Sequence, residues 1–131
     1  MTGARTLTEQ LADAVCCVRP ADFSEETLNV AGSFVLDWFA SAVAGTASKP
    51  GRYLISEGES RGDGPCSVLG LSAGRDAEVA ALVNGGLSHI VEMDDLDRKS
   101  VVHPGCVVIP AALAAAEEAG ATGQEFLAAV I

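Results

Sequence analysis

The sequence predicts an all-α domain, and three observations carry that expectation. Apolar residues recur at helical spacing in several segments, most of them opened by a Thr, Ser or Asp suited to cap a helix. The core must be filled mainly by Ala, Val and Leu, because the chain has one Trp, one Tyr and four Phe. Small aliphatic side chains suit closely packed helices better than facing sheets. Only one short stretch, near residues 66–70, reads as extended. A length of 131 residues is enough for one helical domain with a real core, spanning residues 1–131.

The elements follow in order. Thr6-x-x-Glu9 forms a capping box, and Leu7, Leu11, Ala14, Val15 and Val18 then keep helical spacing until Pro20. Asp22-x-x-Glu25 caps a longer helix from about Ser24 to Ala44, with Leu28, Ala31, Val35, Leu36, Phe39 and Val43 as its apolar stripe. Gly45 reads as its C-terminal cap. From Gly45 to Pro65 the composition turns loop-like, and Tyr53-Leu54-Ile55 fits either an extended piece or one helical turn. Cys66-Ser67-Val68-Leu69-Gly70 is the extended segment. A third helix starts near Asp76 and runs towards Glu92. Another opens at Pro104, with Pro110 as a kink or the true start, and closes at Gly120. Thr122-x-x-Glu125 caps a last helix that stops in mid-pattern at Ile131, as if cut rather than finished.

Charge excludes some functions. A formal net charge of −10 argues against nucleic acid, whose phosphates need clustered Lys and Arg, and against an anionic membrane surface. No apolar run approaches the ~20 residues of a membrane span, and the N-terminus lacks the apolar core of a signal peptide. Cys16, Cys17, Cys66 and Cys106 show no metal-type spacing and read as buried, reduced thiols of a cytoplasmic protein. Arg61-Gly62-Asp63, though it matches a recognition tripeptide, is taken as chance.

Chemistry concentrates between Asn84 and Pro110, which hold both histidines of the chain. His89 and Glu92 would share a helix face if the third helix reaches that far. Asp94 and Asp95 follow, then the charged turn Asp97-Arg98-Lys99. His103 precedes Pro104-Gly105, at the positive end of a helix, where an uncharged imidazole is favoured. A neutral ring beside free helix N–H groups would accept a proton next to a carboxylate holder, which suits removal of a proton from carbon adjacent to a carboxylate. Spacing alone equally allows His103 to be a cap or a satisfied polar residue, and Asp94-Asp95 an exposed turn. His89, Glu92, Asp94 and His103 are all metal-ligand types, but their spacing matches no zinc pattern, so no metal is assigned.

These residues, from Asn84-Gly85 through His89, Glu92-Met93-Asp94-Asp95, His103-Pro104-Gly105, Ile109-Pro110-Ala111-Ala112-Leu113-Ala114 and Glu117, resemble the signature of the MmgE/PrpD family. That family includes 2-methylcitrate dehydratase, cis-aconitate decarboxylase and iminodisuccinate epimerase. The resemblance implies the first portion of a helical domain, the family's inserted α/β domain being absent here. It also implies a homo-oligomer or a complementing chain, no metal or organic cofactor, and a small di- or tricarboxylate substrate. By resemblance, His103, Asp94 and Asp95 would be catalytic, while Glu92, Arg98, Ser100 and His89 would contact substrate. Leu96 stands where the decarboxylase and dehydratase branches often carry Thr, so the segment looks closer to epimerase-like branches. Dehydration, decarboxylation and epimerisation all remain open. Without the family's later residues, little or no activity is expected of this chain alone. The rival expectation is a non-catalytic helical module that associates with a partner chain.

Overall fold

Local hydrogen bonding sets most of the element starts in the computed structural model, which describes residues 5–131. Helix α1 (Leu7–Cys16) opens on the Thr6/Glu9 capping box. A 3₁₀ turn (Pro20–Asp22) leads into α2 (Glu25–Thr46), capped by the Ser24 hydroxyl on the Thr27 amide. Asp22 does not cap α2 as expected; its carboxylate accepts from the Arg19 amide and closes the 3₁₀ turn instead. Helix α3 (Lys49–Glu59), strand β1 (Asp63–Cys66), α4 (Ala77–His89), α5 (Gly105–Ala119) and α6 (Gly123–Val130) complete the order. Among the described residues, six α-helices and one lone strand make the fold mostly helical, as the composition predicts.

Several boundaries differ from expectation. The segment read as loop from Gly45 to Pro65 contains α3, started by Ser48, whose hydroxyl accepts from the Gly51 amide, with Pro50 in the first turn. Tyr53-Leu54-Ile55 therefore lies in a helix. The extended piece falls at Asp63–Cys66 rather than 66–70, and pairs only with Arg75 through isolated bridges. Helix α4 ends at His89, and Glu92 sits beyond it with a left-handed φ of 49°. His89 and Glu92 thus share no helix face. Pro110 lies inside α5, so it neither starts that helix nor ends it.

Gly45 is not a cap. It lies within α2, buried against α4, where an added Cβ would overlap the Leu87 carbonyl. The buried face of α2 is Ala31, Trp38, Ser41, Ala42 and Gly45, whereas Leu36, Phe39 and Val43 of the expected stripe are exposed. Gly45→Ala is accordingly expected to cost roughly 1–3 kcal/mol, since packed helices must separate to admit a methyl. Chemical denaturation checks it; an unchanged midpoint would mean that the α2–α4 contact yields freely. By length and mean apolar character the 22-residue α2 would suffice to cross a membrane, which reading run by run did not register. Here it packs as a core helix, chiefly on α4.

The core joins Ala42, Cys66, Val68, Ala80, Val83, Leu87 and Ala114 across α2, β1, α4 and α5. Two polar side chains lock β1 and its exit onto this core. Buried Asn84 accepts from the Leu69 amide at 2.9 Å and donates to the Ser67 carbonyl at 2.8 Å. Glu117 accepts from the Ser67 amide at 2.7 Å. Against the expectation of buried thiols, Cys16 and Cys17 are exposed; Cys66 is buried and Cys106 half-buried, all four being free. Burial, with Glu117 nearby, pushes the Cys66 thiol above its usual range. Around the tripeptide noted above, Arg61 pairs with Glu57 and Asp63 with Arg75.

Candidate functional site

The site is built where α4 ends and α5 begins. His89 is the last residue of α4, and the chain then turns through the left-handed Glu92 before delivering Asp94 inward. The Asp94 side chain is only 1% exposed, while His89 is 49% and His103 26% exposed, so two accessible rings flank one buried carboxylate. His89 Nδ1 stands 3.1 Å from Asp94 Oδ2 and 3.4 Å from Oδ1. His103 Nδ1 lies 3.4 Å from the same Oδ2, at an angle that makes a close electrostatic contact rather than a hydrogen bond. The two rings meet edge to face, with centroids 4.9 Å apart.

A carboxylate only accepts, so His89 must present Nδ1–H to it, leaving the lone pair on Nε2. In His103, Nδ1 is buried, so the accessible part of the ring lies away from Asp94. One carboxylate thus bonds the His89 ring and lies against the His103 ring, an arrangement suited to orienting imidazoles for proton transfer.

The aspartate pair does not act as a pair. Asp95 Oδ1 accepts from the Gly105 amide at 2.9 Å, capping α5 in place of Pro104, which has no side-chain cap bond. A Cβ at Gly105 would overlap the Asp95 carboxylate, so a larger residue there would push that cap aside. Only Asp94 faces the histidines. Asp95 also lines a shallow cavity of about 190 Å³ with Phe34, Pro104, Gly105, Val108 and Val130.

Between these anchors, residues 97–102 form a tight turn. The Asp97 amide donates to the Val102 carbonyl at 2.9 Å, and the Val101 amide to the Asp97 carbonyl at 2.8 Å. The Asp97 carboxylate accepts from the Ser100 hydroxyl at 2.5 Å and from the Lys99 and Ser100 amides, which holds its pKa below the usual range. The Ser100 hydroxyl is thus committed to the turn. Arg98 is exposed and, among the described residues, has no ion-pair partner. Glu92 is likewise exposed and off the helix. Of the expected substrate contacts, only His89 is brought to Asp94.

Cys106 is the residue that spacing missed. It sits in the first turn of α5, donates through Sγ to the His103 carbonyl at 3.2 Å, and lies near Asp94. Burial first, then the Asp94 carboxylate, pushes its pKa up to about 11, so it is a thiol at neutral pH. His89, Asp94 and Cys106 offer ligand atoms within 4.8 Å of one another. Its position three residues after His103, within a helix start, was the available signal.

The family model described as the MmgE/PrpD N-terminal domain matches residues 9–131. The chain is 29% identical over 135 residues to the cis-aconitate decarboxylase-like protein oryM of Aspergillus oryzae (strain ATCC 42149 / RIB 40). That match covers 95% of this chain and 28% of the relative, so the chain spans under a third of the length of that protein. No solved structure matches the chain significantly.

Proposed function

Because this chain belongs to the MmgE/PrpD family, we propose that it contributes His103, His89 and Asp94 to a site that moves a proton alpha to a carboxylate. The substrate is a small di- or tricarboxylate, and the outcome is loss of water, loss of carbon dioxide or reprotonation. The observation that carries this reading is the nearly inaccessible Asp94 carboxylate flanked by two accessible imidazoles. His103 is the acid–base group, and His89 is its partner on the same anion. Asp94 sets ring orientation and stabilises an imidazolium when a proton is taken up. Asp95 has a different role from the catalytic one expected for it: it fixes the start of α5 and hence the position of His103. Arg98, an exposed cation of the neighbouring turn, is the carboxylate-binding candidate, because a guanidinium, unlike the Lys99 ammonium beside it, can hold a carboxylate bidentately.

The chain works with a second copy or with further chain that completes the cleft. Exposed Val30, Phe34, Val107 and Val108, on α2 and α5, support such an apolar covering partner.

The test uses the full-length gene product with cis-aconitate, 2-methylcitrate and other di- and tricarboxylates in D₂O, followed by proton NMR. Loss of the alpha proton or its exchange for deuterium is the expected signature, common to all three outcomes. His103→Ala should then slow the chemical step by at least ~100-fold. A drop of less than about tenfold, ~1.4 kcal/mol, would reduce His103 to a packing residue and remove the reading.

A further inference from the structure

We propose that His89, Asp94 and Cys106 form a binding site for a soft divalent cation of the zinc type. The inference stands on the placement of three donors and holds whether or not the proposed proton chemistry does. The last residue of α4, the buried carboxylate of the connecting loop and the first turn of α5 converge there. Their ligand atoms all lie within 4.8 Å of one another. Tetrahedral zinc with bonds of ~2.0–2.3 Å sets ligand atoms roughly 3.3–3.8 Å apart, so the widest pair must close by about 1–1.5 Å, while His89 Nδ1 and Asp94 Oδ2, now 3.1 Å apart, separate slightly.

The donor chemistry selects the metal. One thiolate, one imidazole nitrogen and one carboxylate oxygen favour zinc or cobalt, whereas magnesium and calcium ask for oxygen ligands alone. Asp94 supplies a buried carboxylate whose neighbours among the described residues include the two rings and the Cys106 thiol, and a bound cation would hold it directly. Two of the donors, His89 and Cys106, sit on helices that pack closely against each other. Three protein ligands leave a fourth position for water or for a carboxylate from solution.

On binding, the Cys106 thiol proton leaves to solvent and the sulfur lone pair bonds the metal. The His89 proton moves from Nδ1 to Nε2, so the ring stays neutral while Nδ1 ligates. Asp94 exchanges its contact with His89 for a bond to the metal. Metal would thus withdraw from His89 and His103 the anion that orients them, making the ion an off-switch for any chemistry run by those rings.

The test is titration of the chain with Co²⁺ alone, then displacement by Zn²⁺, in a Cys16→Ser/Cys17→Ser background. That background removes the exposed adjacent thiols, an independent trap for soft metals. The expected result is one equivalent of cobalt with a sulfur-to-cobalt charge-transfer band in the near ultraviolet, lost on adding Zn²⁺. Cys106→Ala should abolish the band. His89→Gln, at an accessible position that the core does not depend on, should weaken binding at least tenfold. Absence of the band, or its persistence in Cys106→Ala, overturns the site. Unchanged affinity in His89→Gln overturns it equally.

Discussion

Asp94→Asn in the full-length gene product is expected to lower kcat by about 10³–10⁴-fold. The carboxylate serves two rings at once, with His89 Nδ1 at 3.1 Å and His103 Nδ1 at 3.4 Å from the same oxygen. An amide of the same shape has one accepting oxygen and one donating nitrogen. With the nitrogen in the place of Oδ2, His89 must turn or shift its proton to Nε2; with the oxygen there the bond survives, but in neither case does a ring gain the charge that stabilises an imidazolium. Because the side chain is nearly isosteric, the fold should persist, which circular dichroism and the unfolding midpoint can establish. The effect should fall on kcat with KM little changed, as Asp94 is too enclosed to touch substrate. A loss below tenfold with intact folding would show that the rings do not depend on this anion.

Arg75→Ala is the second large effect, and it falls on stability: about 3–5 kcal/mol, read from denaturant midpoints. Arg75 is 4% exposed and works as a buried hub. Its Nε donates to the Gly58 carbonyl at 2.6 Å and its terminal nitrogens reach the carbonyls of Glu59, Ala73 and Gly74 and the Asp63 carboxylate. Two of those carbonyls close α3, whose last turn has no basic side chain of its own. Truncation leaves several of these acceptors unpaired, some out of reach of water. The ion pair itself carries little of this, because the Asp63 side chain is 85% exposed. Asp63→Asn should therefore cost under about 1 kcal/mol. Equal losses in the two variants would relocate the stabilisation to the salt bridge.

What could be read from sequence was what short-range bonding decides. Thr6, Asp76 and Thr122 cap helices within three residues of themselves, and Gly120 ends α5 with a left-handed φ of 64°. The family likeness was legible because its signature residues are contiguous along the chain. Helix α3 was hidden because Gly, Ser and Pro lower intrinsic helix preference, while packing of Leu54 and Ile55 on the core overrides it. The buried face of α2 was misjudged because large apolar residues were assumed to face inward. Apart from Trp38, the residues that do are small, and at Gly45 the Leu87 carbonyl of α4 leaves no room for a side chain. Asn84, Arg75 and Cys106 act through contacts across tens of residues or between helix ends, which periodicity does not encode. The separation of Asp94 from Asp95 was equally invisible. Adjacent residues beyond a helix end point in directions that only the left-handed turn at Glu92 determines.

The bond between Asp95 and the Gly105 amide, spanning ten residues, has one more consequence. A helix capped by its own neighbours can fray without disturbing anything distant. Here the fastening is borrowed from the loop that also carries Asp94, so unwinding the first coil of α5 and slackening the hold on both imidazoles are a single event. The segment from His89 to Gly105 behaves as a buckle: fastened, it presents two aligned rings, and released, it loses them together.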